Sequence, residues 1–187
     1  MNILETQSGE THFQFQIGPL LIKILFLRYK PPEPDWYEKP HAHSTYELHF
    51  IERGNGTLKS GGKEYALRPG TFYLTGPEIY HEQLTDPHNP MSEYAVNFDI
   101  RRCKGKTDEG IPKKESRRIG EALEKTKFWF GTDEFHSLDI FGMICAELAE
   151  QKVGYYFTVK NCLSQIIVNA ARCYMQNREA GYGLPKN

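Results

Sequence analysis

The distribution of apolar and polar residues changes near residue 104. Before this point, apolar and polar residues alternate in short runs that end at glycine or proline, which is typical of β-strands. After it, apolar residues recur at every third or fourth position, which is typical of helices. The pattern therefore predicts a β-rich first segment, residues 1–103, and a second segment, residues 104–187, made of a linker and helices.

The predicted strands of the first segment are short and closely spaced. They are expected at residues 12–17, 20–29, 41–52, 57–60, 63–67, 71–75, 79–85 and 93–100. Gly61-Gly62 separates two of them and is a hairpin signal. Many short strands at this spacing indicate a small antiparallel barrel or jelly roll. The predicted fold class is therefore mainly β with an α appendage, a β-barrel followed by two to three helices.

The second segment is expected to contain helices at residues 116–127, after an N-cap at Thr132, and from an N-cap at Thr158 to about Asn177. The last helix carries an apolar stripe that suits helix–helix packing. The pattern leaves open whether this stripe packs inside the chain or against a partner subunit. The residues predicted to pair two subunits are Val159, Leu163, Ile166, Ala170 and Tyr174.

Composition limits the classes of protein to which this chain could belong. The net charge of −1 lacks the excess of positive charge that is typical of nucleic-acid-binding domains. The four cysteines form no closely spaced pair, which favours reduced thiols. A secretory signal is absent, and no apolar run reaches the roughly 18 residues needed to span a membrane. We therefore expect a soluble, cytoplasmic protein with no membrane partner.

The candidate chemistry lies in the strand predicted at residues 41–52. Residues two apart on a strand share a face, so His41, His43, Glu47 and His49 are expected to project to one side. His81, on a nearby predicted strand, would complete a set of three imidazole nitrogens and one carboxylate. That set suits Zn, Fe, Ni or Mn.

Two motifs carry a resemblance to a known superfamily. The spacing His-x-His-x3-Glu-x6-Gly, from His41 to Gly54, and Gly-x10-His, from Gly70 to His81, resembles the two motifs of the cupins. The resemblance implies a small antiparallel barrel. The second motif departs from the superfamily pattern at Gly76, Glu78 and Thr85.

A narrower likeness covers roughly residues 15–177. The segments 47–56, 68–70 and 76–81 are similar to the sensor domain of AraC-type transcription regulators. This resemblance implies an effector bound in the barrel and a homodimer formed through the C-terminal helices. It also implies contact with DNA only through a helix-turn-helix domain, expected after residue 187 and absent from this sequence.

Two interpretations of the histidine cluster remain open. As a sensor, the protein is not an enzyme and needs no cofactor, and the barrel binds a sugar or another metabolite. As a metal-dependent cupin enzyme, an oxygenase or a sugar isomerase, it holds a divalent metal through His41, His43, Glu47 and His81. The residues expected to line the effector pocket are Arg28, Trp36, His41, His43, Glu47, His49, Tyr80 and His81, with Tyr73 and Phe98 as weaker candidates.

Overall fold

The chain forms two antiparallel sheets and three helices in a computed structural model that describes residue 4 and residues 11–103 and 111–175. The strands are β1 (Gln14–Ile17), β2 (Leu20–Lys30), β3 (Tyr37–His41), β4 (Tyr46–Arg53), β5 (Gly56–Ser60), β6 (Lys63–Leu67), β7 (Thr71–Thr75), β8 (His81–Thr85), β9 (Ser92–Arg102) and β10 (Phe128–Thr132). The helices, numbered here in chain order, are α1 (Lys113–Lys125), α2 (Ser137–Glu150) and α3 (Tyr155–Tyr174).

The two sheets stack in the manner of a jelly roll. One has six strands in the order β1-β2-β9-β4-β7-β10, and the other has four in the order β3-β8-β5-β6. The prediction of a mainly β fold followed by two to three helices is thus confirmed. Of the two predicted alternatives, a barrel or a jelly roll, the structure adopts the jelly-roll form, because no backbone ladder joins the edges of the two sheets within the described residues.

The six-stranded sheet lies between the helices and the four-stranded sheet. Its helix-side face is apolar, and there Phe50 contacts Phe141 of α2 with ring centroids 5.3 Å apart. Its inner face carries a smaller core that includes Ile51 and Tyr73 and reaches Leu58 of the four-stranded sheet. Alternation along β4 therefore sends Phe50 to the helices and its neighbours toward the second sheet.

Three predicted elements differ from the structure. The strand expected at residues 41–52 is interrupted, because β3 ends at His41 and β4 begins at Tyr46. Thr132 ends β10, which pairs with β7, and so does not cap a helix. Thr158 lies inside α3, because that helix begins one turn earlier, at Tyr155. Aromatic contacts, such as that of Trp129 with Phe72, stabilise β10 against the six-stranded sheet. The second segment therefore contains a strand as well as helices.

The apolar stripe of α3 is buried inside the chain. Val159, Leu163 and Ile166 are each 0% exposed, and Ala170 is 1% exposed. These side chains belong to the core shared by the helices and the six-stranded sheet. The prediction that these four side chains contact a partner subunit is therefore wrong, because almost none of their surface is accessible in the folded chain. Tyr174 is partly buried against Trp129, and the homodimer itself stays a prediction.

Two turns depend on glycine. Gly61 and Gly62 both have positive φ, 58° and 73°, as expected for the predicted hairpin between β5 and β6. Gly54 has φ of 71°, and a Cβ there would lie 2.1 Å from the carbonyl oxygen of Pro90. Among the described residues, no helix combines the length and the apolar character needed to cross a bilayer.

Candidate metal and ligand site

Four predicted residues converge at one end of the space between the sheets. His41 ends β3 and lies opposite His81, the first residue of β8, with ring centroids 4.2 Å apart. His43 lies in the loop after β3, with its ring 5.3 Å from that of His81. Glu47 follows on β4. One ligand atom from each of these four residues lies within 4.8 Å of all the others, as the sequence predicted, although a loop and not a single strand brings them together.

Backbone carbonyls contact the same ring atom, Nδ1, in all three imidazoles. The Nδ1 atoms of His41, His43 and His81 lie 2.8, 2.8 and 3.1 Å from the carbonyl oxygens of residues 39, 45 and 79. A carbonyl can only accept a hydrogen bond, so each Nδ1 carries the proton. In the neutral rings each Nε2 therefore presents a lone pair, which is how protein imidazoles usually prepare for a metal.

The contact between His43 and Glu47 also favours a cation. His43 Nε2 lies 3.0 Å from Glu47 Oε2. With Nδ1 protonated, this contact sets a lone pair against a carboxylate unless a proton or a metal ion lies between them. His81 Nε2 is buried and has no hydrogen-bond partner. These four residues therefore fit a divalent metal, and its presence stays a prediction.

A row of charged side chains continues from this cluster into the interior. His49 lies between two carboxylates, with Nε2 3.4 Å from Glu47 Oε2 and Nδ1 3.2 Å from Glu93 Oε1. Its ring stacks on Tyr73 at 4.3 Å and 7°. Glu93 has a fully buried side chain, which accepts a hydrogen bond from Gln83 and lies 3.6 Å from Arg28 Nη2. Acidic and basic side chains thus alternate along this row.

Burial and charge act against each other on these groups. Burial alone would lower the pKa of His49, but the carboxylates of Glu93 and Glu47 raise that pKa to about 9. Burial would raise the pKa of Glu47, yet the charge of His49 and the contact with His43 hold it well below its usual range. For His81, burial and then the positive charge of His49 lower the pKa to about 4. The neutral His81 ring is the form that could bind a metal.

The inner face of the six-stranded sheet also carries buried polar atoms without hydrogen-bond partners. These atoms lie at neighbouring positions, since His49 pairs with Tyr73 and Glu47 pairs with Thr75 across β4 and β7. Such atoms are rare in folded proteins and call for a ligand or ordered water. On this face Tyr73 Oη and Thr75 Oγ1 have no hydrogen-bond partner, whereas the ring nitrogens of His49 and Glu93 Oε1 make no well-aligned hydrogen bond but are held in the ion pairs described above.

The other predicted pocket residues have different positions. Trp36 is 7% exposed, lies in the small core between the sheets and approaches Glu38 through Nε1 at 3.4 Å. Arg28 reaches Glu93 from a side chain that is 45% exposed. Tyr80 is 70% exposed, so its predicted place inside the pocket is wrong; it precedes the inward-facing His81. Phe98 stacks on Tyr46 in the helix-side core and also lies outside the site.

Glu93 is the main functional candidate that sequence reasoning missed. The sequence held a signal for it, because Tyr94, Val96 and Phe98 share one face of β9 and therefore place Glu93 on the opposite face. An acidic residue there must find a partner if that face is buried. Gln83 and Thr75 carried no comparable signal, since their roles depend on how the two sheets stack.

Comparison with known proteins supports one family. The model of the AraC-like ligand binding domain matches residues 24–117, half of the chain. The uncharacterized HTH-type transcriptional regulator YfiF of Bacillus subtilis (strain 168) is 40% identical over 42 residues, which are 22% of this chain and 13% of that regulator. The match thus spans a small part of the curated relative.

One solved structure supports the fold. Apo ToxT from Vibrio cholerae is similar over 90% of this chain and 59% of its own, with a TM-score of 0.55 and 12% identity. A cupin protein from Bacteroides fragilis is similar over 60% of this chain and 99% of its own, with a TM-score of 0.36 and 14% identity. The family match, which covers half of the chain, leads to one conclusion: this chain belongs to the family of AraC-like ligand binding domains.

Proposed function

We propose that this domain is the effector-binding part of an AraC-type transcriptional regulator and binds a small polar molecule between its two sheets. The observation that carries the proposal is the pair of buried hydroxyls without hydrogen-bond partners, Tyr73 Oη and Thr75 Oγ1, on the inner face of the six-stranded sheet. Hydroxyls such as those of Tyr73 and Thr75 both donate and accept, whereas Glu93 accepts. A molecule with several hydroxyls, such as a sugar, could pair with all three, and so could a comparable metabolite.

Two further residues support a polar ligand. Arg28 lies at the boundary between solvent and interior, where its guanidinium can donate two parallel hydrogen bonds to a hydroxyl or carboxylate pair. Trp36 lies in the small core between the sheets and offers an aromatic face next to the site. Polar groups that fix a ligand among apolar walls are the usual composition of a small-molecule site.

A ligand screen tests this proposal. Sugars and small organic acids would be screened by thermal shift, and hits measured by calorimetry against wild type, Tyr73→Phe and Thr75→Val. Each variant removes one buried hydroxyl and keeps the shape, so we expect affinity to fall about tenfold, which is about 1.4 kcal/mol. Glu64→Gln is the control, because Glu64 has a side chain that is 70% exposed. A hit that binds all four proteins equally would place the effector elsewhere.

The regulator as a whole is proposed to act as a homodimer that binds DNA through a helix-turn-helix domain beyond this sequence. Since the inner stripe of α3 is buried, the outer surfaces of the C-terminal helices are the ones available for pairing. Met143 of α2 and Phe157 of α3 are 52% and 63% exposed and support this choice. Light scattering on Phe157→Glu should show a monomer, and an unchanged dimer would exclude this surface.

A metal-dependent cupin enzyme, an oxygenase or a sugar isomerase, is the second candidate function. It is favoured by the three imidazoles, each of which donates from Nδ1 to a backbone carbonyl and so leaves Nε2 available to a metal, and by Glu47, which lies close to all three. A metal held there would supply Lewis-acid chemistry or an activated water. Elemental analysis of freshly purified protein would test it. About one ion per chain, lost together with turnover on chelation, supports an enzyme; metal content unaltered in Glu47→Ala contradicts this ligand set.

A further inference from the structure

His49 lies outside the group of four metal-ligand candidates but contacts one of them. Its Nε2 is 3.4 Å from Glu47 Oε2, the same oxygen that His43 Nε2 approaches to 3.0 Å. Because the proton of His43 is on Nδ1, its Nε2 turns a lone pair toward that oxygen and cannot donate to it. His49 is therefore the neighbour that can donate to this oxygen.

Two further side chains fix the position of His49. Glu93 lies 3.2 Å from Nδ1, and Tyr73 covers one face of the ring in a nearly parallel stack. Glu93 is in turn held by Gln83 and approached by Arg28. His49 is 2% exposed, so solvent does not compete for these contacts. The ring therefore has little freedom to turn away from Glu47.

We propose that His49, oriented by Glu93, is a positioning residue that holds the Glu47 carboxylate toward a cation at the three-histidine cluster. The inference rests on the metal-binding candidate described above. His49 would not touch the ion; it would act by fixing the direction of Glu47. Groups that orient a ligand in this way typically change metal affinity 10- to 100-fold when they are removed.

Two matched substitutions separate positioning from general support of the fold. In His49→Gln the side-chain amide reaches the place of Nε2 and can still donate to Glu47. In His49→Asn the amide reaches only the place of Nδ1 and keeps the contact with Glu93 alone. Zn²⁺ would be titrated into chelator-stripped proteins in competition with a chromophoric chelator, and the Co²⁺ absorption spectrum would report the ligand geometry.

We expect the Zn²⁺ affinity of His49→Asn to fall about 10- to 100-fold and that of His49→Gln to stay within about threefold of wild type. Glu93→Gln should also weaken binding and alter the Co²⁺ spectrum, because His49 loses its orienting carboxylate. The unfolding temperatures of the metal-free variants are measured in parallel. Unlike the affinity for Zn²⁺, they report the loss of buried contacts.

The outcomes are distinguishable. If wild type binds no Zn²⁺, the metal-binding candidate fails and this inference fails with it. If wild type binds Zn²⁺ and both His49 variants keep its affinity, the positioning role alone is overturned. Equal losses in Asn and Gln variants that follow equal drops in unfolding temperature also overturn it, because they show a purely structural role.

Discussion

Zinc should stabilise the chelator-stripped protein because its site exists only in the folded chain. The four ligand candidates come from β3, the loop after it, β4 and β8, which folding brings within 4.8 Å. A ligand that binds only the folded state stabilises it by about 2.7 kcal/mol at about 100 times its Kd. For a 187-residue chain, each kcal/mol moves the unfolding temperature by about 2–4 °C, so we expect a rise of about 5–11 °C.

Differential scanning fluorimetry with Zn²⁺ and with a chelator measures this rise. His81→Ala should lose most of it, because the variant lacks the buried, unpartnered Nε2. Each variant is compared with its own metal-free form, so the packing lost with the His81 ring cancels. His88→Ala is the matched control, since His88 is an exposed histidine outside the cluster. No shift in wild type, or equal shifts in wild type and His81→Ala, would refute the reasoning.

Further predictions concern the fold. Gly54→Ala should destabilise the protein by more than about 1 kcal/mol, because φ at Gly54 is positive and a Cβ there would meet Pro90. Gly142→Ala, which has open space around it, should instead stabilise α2 by about 0.5–1 kcal/mol; chemical denaturation measures both effects. Glu78→Gly should raise the free energy of unfolding by about 1 kcal/mol, since Glu78 has φ of 64°, and an unchanged value would mean that the turn is not strained. Leu163→Ala should cost about 2–5 kcal/mol in the same assay; a near-neutral effect would contradict its burial.

Much of the β fold was predictable because its signals are local. Gly61-Gly62 marks a two-residue turn, and the structure pairs the flanking strands directly across it. Strands β6 and β7 begin and end where the sequence predicted. The convergence of His41, His43 and Glu47 with His81 was also predictable, from the two-motif spacing.

The remaining errors concern segments whose structure or packing partner depends on tertiary contacts. The stripe on α3 suits any helix–helix contact, and only the position of the sheet shows that Leu163 packs inside the chain. The run from Phe128 resembles the end of a helix until its pairing with β7 is known. Glu93 joins the site only because β9 lies beside β4 in the six-stranded sheet, and the paired residues of these strands are 39 to 52 positions apart in the sequence.

The location of the bound effector tests the central claim most directly. The measurement is a crystal structure of the protein with the ligand that stabilises it most in the screen. We predict density between the sheets, within hydrogen-bonding distance of Tyr73 Oη, Thr75 Oγ1 and Glu93 Oε1. Density in the separate cavity of about 500 Å³ between β1, α1 and α3, which Ile119 and Lys160 help to line, would contradict the account.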